Sequence, residues 1–257
     1  MRVRRLGWAG LQIESSGSTV VIDLVEESEP LRSVLPAGSL LPASRTADIA
    51  LVTHLHSDHA DPAAIERAVT PGGAVLRPEP FAGTRAETLW TNQAEDGFAQ
   101  RDLNVQTVRD WQVINAGPFE ITAVPAVDGL GDPQVNWVVA ADGKRVFHGG
   151  DTVFHGLWWL IQRRLGPVDA AFLPINGAAV DFPHLRPPSP LPAVLTPEQA
   201  VVAGSILRAA QVVPIHYGID QPGVYEEVDD PATAFQHAAK RHGVEARMLA
   251  PGETIDL

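Results

Sequence analysis

The sequence predicts an α/β protein, with strands in both halves of the chain and helices outside them. Three observations lead there. Asp142-Gly143 lies between two strand-like runs, 136–140 and 144–147, and is the strongest short hairpin signal in the chain. After Asp151 short apolar runs alternate with helical stretches. At Asp61-Pro62, Thr196-Pro197 and Asp230-Pro231 a capping residue stands directly before a proline, which suits the first position of a helix.

In chain order, 11–14 and 19–23 read as two strands, with Gly17 marking the turn between them. Residues 24–46 form a long polar connection, and connections of that length are usually functional or mobile. A buried strand at 49–52 runs straight into a His-rich turn, and a helix then starts behind Asp61. Residues 74–112 carry no pattern that assigns an element. A strand at 119–124 precedes the hairpin, and the apolar stretch 154–164 reads as a helix. A strand at 170–173 leads to a proline-rich extended loop over 182–192. Thr196 opens the next helix, with Gln199 completing a capping box. A strand at 212–215 and a helix between Asp230 and Gly243 close the pattern. No repeat or low-complexity linker divides the chain, so one domain over 1–257 is expected.

Composition removes several function classes. Asp and Glu number 31 against 19 Lys and Arg, a net charge of -12, which disfavours broad attraction to nucleic acid or to an anionic membrane. Cysteine is absent, which excludes disulfides, Cys-ligated zinc, iron–sulfur clusters and thiol nucleophiles. No apolar run approaches the roughly 18 residues of a membrane span. Arg2, Arg4 and Arg5 resemble the basic start of an export signal, but Gly7, Gly10, Gln12 and Glu14 interrupt the apolar stretch behind them. A first strand and a cytoplasmic location are the expectation.

The chemistry concentrates at Thr53-His54-Leu55-His56-Ser57-Asp58-His59-Ala60-Asp61. Three of the chain's 9 His lie here beside an Asp, between a buried strand and a helix. Side chains alternate along extended backbone, so His54 and His56 point the same way, while Asp58 and His59 on the following turn face a second point. Imidazole and carboxylate suit zinc or another divalent first-row metal.

This stretch resembles the H-x-H-x-D-H signature of the metallo-β-lactamase superfamily. Leu6-Gly7-Trp8-Ala9-Gly10 and Val21-Ile22-Asp23 are similar to its first strands, and Ala123-Val124-Pro125-Ala126 to the strand ending at its third His. Gly149-Gly150-Asp151-Thr152 resembles the turn carrying its bridging Asp, and Val213-Pro214-Ile215-His216-Tyr217 the strand end with its last His. Leu173-Pro174-Ile175-Asn176-Gly177 and Leu195-Thr196-Pro197-Glu198 look most like the L-ascorbate-6-phosphate lactonase branch. The resemblance implies a four-layer αββα sandwich of the metallo-β-lactamase type, with metals at one edge between the sheets. It assigns His54 and His56 to a first metal position, Asp58, His59 and His216 to a second, and Asp151 to a bridge. Asp58 and Asp151 are the catalytic carboxylates it implies, Asp58 both binding metal and orienting the nucleophile.

The chain departs from the family at one ligand. The third His of the first position is replaced by Ala126-Val127-Asp128-Gly129, and no His occurs between His59 and His148. Either Asp128 ligates in its place, or the first position is half-formed. A further carboxylate would lower the charge of the centre and shift preference from zinc toward harder ions such as manganese. Asn176, His155 and Tyr217 are candidate substrate contacts. The Arg-Asp pair typical of the lactonases after Asn176-Gly177 is Ala178-Ala179 here, which puts a sugar-phosphate substrate in doubt.

The implied function is hydrolysis of a small ester-type molecule, a lactone first, by a hydroxide held on one or two divalent ions, zinc first and manganese second. A small-molecule phosphodiesterase and a non-catalytic metal-binding scaffold are the alternatives. A small-molecule substrate, no nucleic acid, no membrane and self-association as a homo-oligomer complete the expectation.

Overall fold

A computed structural model describes residues 1–219 and 221–257. The first half runs β1 (Arg2–Arg5), β2 (Leu11–Ser15), β3 (Ser18–Ile22), α1 (Glu29–Arg32), β4 (Ala47–Leu51), α2 (Pro62–Ala68), β5 (Val69–Pro78), α3 (Asn92–Ala99) and β6 (Asn104–Val108). The second runs β7 (Val113–Ala116), β8 (Phe119–Pro125), β9 (Val135–Ala141), β10 (Lys144–His148), α4 (Trp158–Leu165), β11 (Ala170–Pro174), β12 (Ala179–Val180), α5 (Pro197–Ile206), β13 (Gln211–Ile215), β14 (Tyr225–Glu226), α6 (Pro231–His242) and β15 (Thr254–Asp256).

The strands form a seven-stranded sheet in the order β15-β1-β2-β3-β4-β5-β6 and a six-stranded sheet in the order β13-β11-β10-β9-β8-β7. Period-two alternation decides how they stack. Val20 and Ile22 of β3 join Ile121, Trp137 and Phe172 of the second sheet in one apolar cluster, while Val21 between them turns to the outer face with Ile65 of α2 and Phe98 of α3. In β11, Ala171 and Leu173 turn away from Phe172 toward Ile161, Val201 and Phe235 of α4, α5 and α6. The result is the four-layer αββα arrangement. Burying one large aliphatic or aromatic side chain contributes about 1.5–3 kcal/mol, and the layer between the sheets is the largest single apolar cluster.

Local chemistry explains the boundaries. Asp61 accepts a hydrogen bond from Ala64 N and caps α2, and Thr196 and Gln199 make the reciprocal capping box of α5. Asp142 and Gly143 take φ of 53° and 72°, as the hairpin turn requires. The stretch that carried no pattern resolves into β5, α3 and β6. The apolar run 154–164 is helical only from Trp158. His155 Nδ1 accepts a hydrogen bond from Leu157 N, which holds the preceding residues in a turn. The short strands β1, β7 and β15 extend the sheets without an apolar signature of their own. Among the described residues no helix is long and apolar enough to cross a membrane.

Position matters most at one edge. The C-terminal ends of β3, β4, β10, β11 and β13 deliver Asp23, the His-rich turn, Asp151, Asn176 and His216 to the same end of the sandwich. Three hydrogen bonds join the two sheets there: Val135 N to Thr53 O at 2.9 Å, His216 N to Trp8 O at 3.0 Å, and His148 Nε2 to Ala9 O at 2.7 Å. The two-stranded ribbon of β12 and β14 stands beside this edge.

Candidate metal centre

Asp23 organises the His-rich turn. It is buried at the end of β3 in left-handed backbone, φ 46°. Its carboxylate accepts from Thr53 N at 2.8 Å, from Thr53 Oγ1 at 2.7 Å and from His59 Nδ1 at 2.8 Å. A carboxylate accepts only, so the Thr53 hydroxyl must donate to it. That hydroxyl can then only accept from His54 Nδ1, 3.0 Å away. In the neutral rings of His54 and His59 the proton therefore sits on Nδ1, and the Nε2 lone pair faces the centre.

Asp151 depends on the glycine before it. Gly150 has φ 49°, and a Cβ there would stand 2.8 Å from Thr53 Oγ1. Its N–H donates to His148 Nδ1 at 3.2 Å, and His148 Nε2 donates to Ala9, so a buried neutral His holds the turn that carries Asp151. Burial, the largest influence on His148, lowers its pKa and keeps it neutral. His216 also adopts left-handed backbone, φ 56°, a strain compatible with a functional position. Trp8 supports both neighbours. Its indole N–H donates to Asp58 Oδ2 at 3.0 Å and its ring lies 4.1 Å from that of His216.

The six residues expected as ligands converge. Asp58, His59, Asp151 and His216 bring one ligand atom each to within 4.8 Å of one another, as do His54, His56 and Asp151. Asp151 is common to both groups and lies between them. His59 Nε2 and His216 Nε2 are each 2.8 Å from Asp151 Oδ1, yet neither contact has the direction of a hydrogen bond. Both nitrogens, Asp151 Oδ1 and His54 Nε2 are buried without a hydrogen-bond partner. Native proteins rarely leave such atoms unpaired, and buried donors aimed at a common point are the condition a metal ion satisfies. The donor set of imidazole and carboxylate fits a divalent first-row ion.

Electrostatics separates the histidines. Burial would depress His59 and His216, but Asp151 beside both, with Asp58, raises His59 well above its ordinary value and raises His216. Burial is also the largest influence on Asp58 and Asp151 and opposes their ionisation; the facing histidines outweigh it and hold both well below the usual carboxylate range. His54 goes the other way, lowered well below its ordinary value by burial and by neighbouring His59 and His56.

Asp128 lies next to the centre, but in a group with His56 and Asp132, not with His54 and Asp151. Its Oδ2 accepts from Leu130 N at 2.9 Å and Asp132 N at 3.0 Å, the pattern of an aspartate holding its own turn. Asp132, not Asp128, makes the direct contact, with Oδ2 2.8 Å from His56 Nε2. That leaves Nδ1 as the ring nitrogen of His56 available to the centre.

The three candidate substrate contacts are not brought into the cleft. Asn176 is fully buried and donates from Nδ2 to Tyr225 Oη at 2.5 Å. His155 stacks on Trp158 with ring centroids 4.5 Å apart, and burial lowers its pKa to about 4. Tyr217 packs against the outer helical layer with the Arg5 guanidinium 5.2 Å from its ring. The cleft over the centre, about 220 Å³, is instead bordered by Trp8, Leu31, Trp90, Leu130, Phe182 and Tyr225 around Asp58, Asp151 and His216. Sequence reasoning did not single out Asp23, Asp132, Trp8 or Tyr225 as site residues. Of these only Asp23 carried a local signal, a lone acid closing an apolar strand.

Comparison with known proteins agrees with this geometry. The profile of the β-lactamase superfamily domain matches residues 18–217. A UPF0173 metal-dependent hydrolase of Thermococcus kodakarensis is 28% identical over 269 residues, with 100% of each chain covered. One from Thermus thermophilus is 30% identical over 265 residues, covering 100% of this chain and 99% of its own. Among solved structures, a metallo hydrolase from Ignicoccus hospitalis superposes with a TM-score of 0.69 at 22% identity, covering 99% of this chain and 97% of its own, a likeness of fold. With its ligand atoms converging as they do, the chain belongs to the β-lactamase superfamily, in its UPF0173 metal-dependent hydrolase family.

Proposed function

We propose that this metal-dependent hydrolase acts on a small uncharged ester, a lactone first. One observation carries the reading. The cleft over the candidate metal ligands is walled by apolar and aromatic side chains, and among the described residues no Lys or Arg lines it. An anionic substrate is usually gripped by such cations. Arg186, on the proline-rich loop, is paired with Asp181 and lines a neighbouring groove. Ala178, where the lactonase branch carries Arg, is fully buried, and its carbonyl accepts from Ala193 N. These features support an ester without a phosphate over a sugar phosphate or a phosphodiester.

A bound divalent pair would acidify water and stabilise negative charge developing on a substrate oxygen. His54, His56, Asp58, His59, Asp151 and His216 would hold it. Asp58, fixed by the Trp8 indole, would also orient the nucleophile. The imidazoles favour zinc, and the carboxylates beside His56 favour some manganese at the first position.

The test is elemental analysis of protein loaded with zinc or with manganese, followed by turnover of alkyl-substituted lactones and of bis(p-nitrophenyl) phosphate. Lactone turnover that follows metal content is expected. Turnover of the phosphodiester alone would sink the ester reading, and a metal-replete protein that turns over neither would favour a non-catalytic scaffold.

A further inference from the structure

Tyr225 lies on the ribbon of β12 and β14 and borders the cleft together with Asp58, Asp151 and His216. Asn176 Nδ2 stands 2.5 Å from its hydroxyl oxygen. A third residue fixes the direction of that bond. The same Nδ2 lies 3.3 Å from Glu227 Oε1, and the Glu227 carboxylate also accepts from Gly218 N and Ile219 N. A carboxylate facing two backbone N–H groups acts as an acceptor, so the end of the amide turned toward it is the NH₂ end. Asn176 then spends its two protons on Glu227 and on Tyr225. The phenol oxygen is the acceptor in that contact, and its own proton remains unspent. Among the described residues no side chain takes that proton, and Tyr225 borders the cleft.

Asn176 is fully buried and cannot itself reach a substrate. It acts through Tyr225, as a positioning residue. Burial, the largest influence on the Tyr225 phenol, raises its pKa and favours the neutral O–H form. A neutral donor between apolar walls matches an uncharged acceptor oxygen better than an anionic one.

We propose that Tyr225, aimed by Asn176 and Glu227, donates its phenolic hydrogen bond to the carbonyl oxygen of an uncharged substrate in the metal-lined cleft. The inference rests on the ester reading above and specifies which substrate group is gripped and by what. Tyr225 is then a catalytic residue that stabilises charge on the substrate oxygen, a role in which the loss of one donor is costly.

Acetophenone, a neutral ketone that cannot be hydrolysed, is the probe, with p-nitrophenyl acetate as the reacting ester. In metal-replete wild-type protein the carbonyl stretch of bound acetophenone is expected to move to lower frequency. In Tyr225→Phe that shift should shrink, affinity should fall about tenfold, and ester turnover should fall roughly 10- to 100-fold. Metal content and thermal midpoint should not change. Glu227→Gln, which lets the Asn176 amide turn over, should show an intermediate loss. An unshifted carbonyl band in the wild type, or equal band, affinity and rate in Tyr225→Phe, overturns the proposal. If esters are hydrolysed and Tyr225→Phe is unaffected, the Tyr225 contact fails and the ester reading stands. If the band depends on Tyr225 but no ester reacts, the contact stands and the ester reading fails.

Discussion

On one side of Asp151, His59 and His216 each bring Nε2 to 2.8 Å of its Oδ1, and Asp58 Oδ2 stands 3.4 Å from both nitrogens. On the other side, His54 Nε2 is 3.8 Å from Asp151 Oδ2, and His56 is held from behind by Asp132. The first group supplies three ligands besides the shared carboxylate. The second supplies two, plus a pair of acids of which one is committed to its own turn. A compact, fully furnished half thus sits beside an open, acid-rich half. The difference teaches that losing one imidazole leaves the remaining candidate ligands of that half gathered beside the complete one. The bridging residue and the complete half can keep the incomplete half in register.

Removing the bridge should have the largest effect. Asp151→Ala is expected to lower turnover by more than about a thousandfold and to cost both metal equivalents or leave one weakly held, read by elemental analysis. If it keeps two tightly bound ions, Asp151 is not shared and the comparison collapses.

Next come the groups that orient each half. Asp23→Asn should weaken metal binding in the complete half by about 10- to 100-fold, because His59 loses the carboxylate that fixes its tautomer, and more mildly in the open half, where Asp23 reaches His54 only through the Thr53 hydroxyl. Asp132→Asn should weaken only the open half, by roughly tenfold. Competition with a graded series of chelators reads both. Equal effects on both halves from Asp132→Asn would contradict its assignment to the open side, and a larger loss in the open half from Asp23→Asn would contradict the direct hold on His59.

Asp128 should matter less. Because its carboxylate ties the turn that carries Asp132, Asp128→Ala is expected to lower affinity in the open half several-fold without removing a whole metal equivalent. Loss of one full equivalent would show that Asp128 is itself a ligand, and Asp128→His should then restore two ions with a preference for zinc.

The smallest effect concerns pH in the metal-free protein. His59 and His216 in the complete half and His56 in the open half are raised, so the stability they contribute is complete below about pH 6.5 and is lost as pH rises through their folded values. His54 is lowered, so its contribution is complete above about pH 6.5 and is lost as pH falls toward its folded value. The thermal midpoint should therefore peak near that pH and fall by a few degrees on either side. Metal should stabilise more strongly as pH rises, chiefly through the complete half, where protons must leave. A flat midpoint between pH 5 and 9 would remove the electrostatic contrast.

Much of the fold and of the clustering of the candidate ligands was legible because the signals are local. The His-rich turn follows one strand, Asp151 follows a hairpin strand behind Gly150, and His216 closes an apolar strand, each within a few consecutive residues. The supporting residues were not legible for the opposite reason. Asp132 meets His56 across 76 positions and Asp23 meets His59 across 36, contacts that exist only once the sheets have stacked. Tyr217 looked better placed than Tyr225 because it adjoins a ligand in sequence. The strained backbone at His216 carries the chain on so that the later tyrosine, on the ribbon, borders the cleft. The run 154–164 misled in the same way, since apolar content alone does not reveal that His155 ties off a turn before the helix begins.

The bonds from Thr53 to Val135, Trp8 to His216 and Ala9 to His148 have a mechanical consequence. They close the sandwich along one margin like the spine of a book, and the metal ligands, drawn from both covers, sit along that same spine. An ion seated there would act as a cross-link between distant parts of the chain, resisting the separation of the two sheets at the point where they are already sewn together. Opening would then begin at the opposite end of the strands, near the β2–β3 and β9–β10 turns, and the amides of Val135 and His216 would be among the last to exchange with solvent.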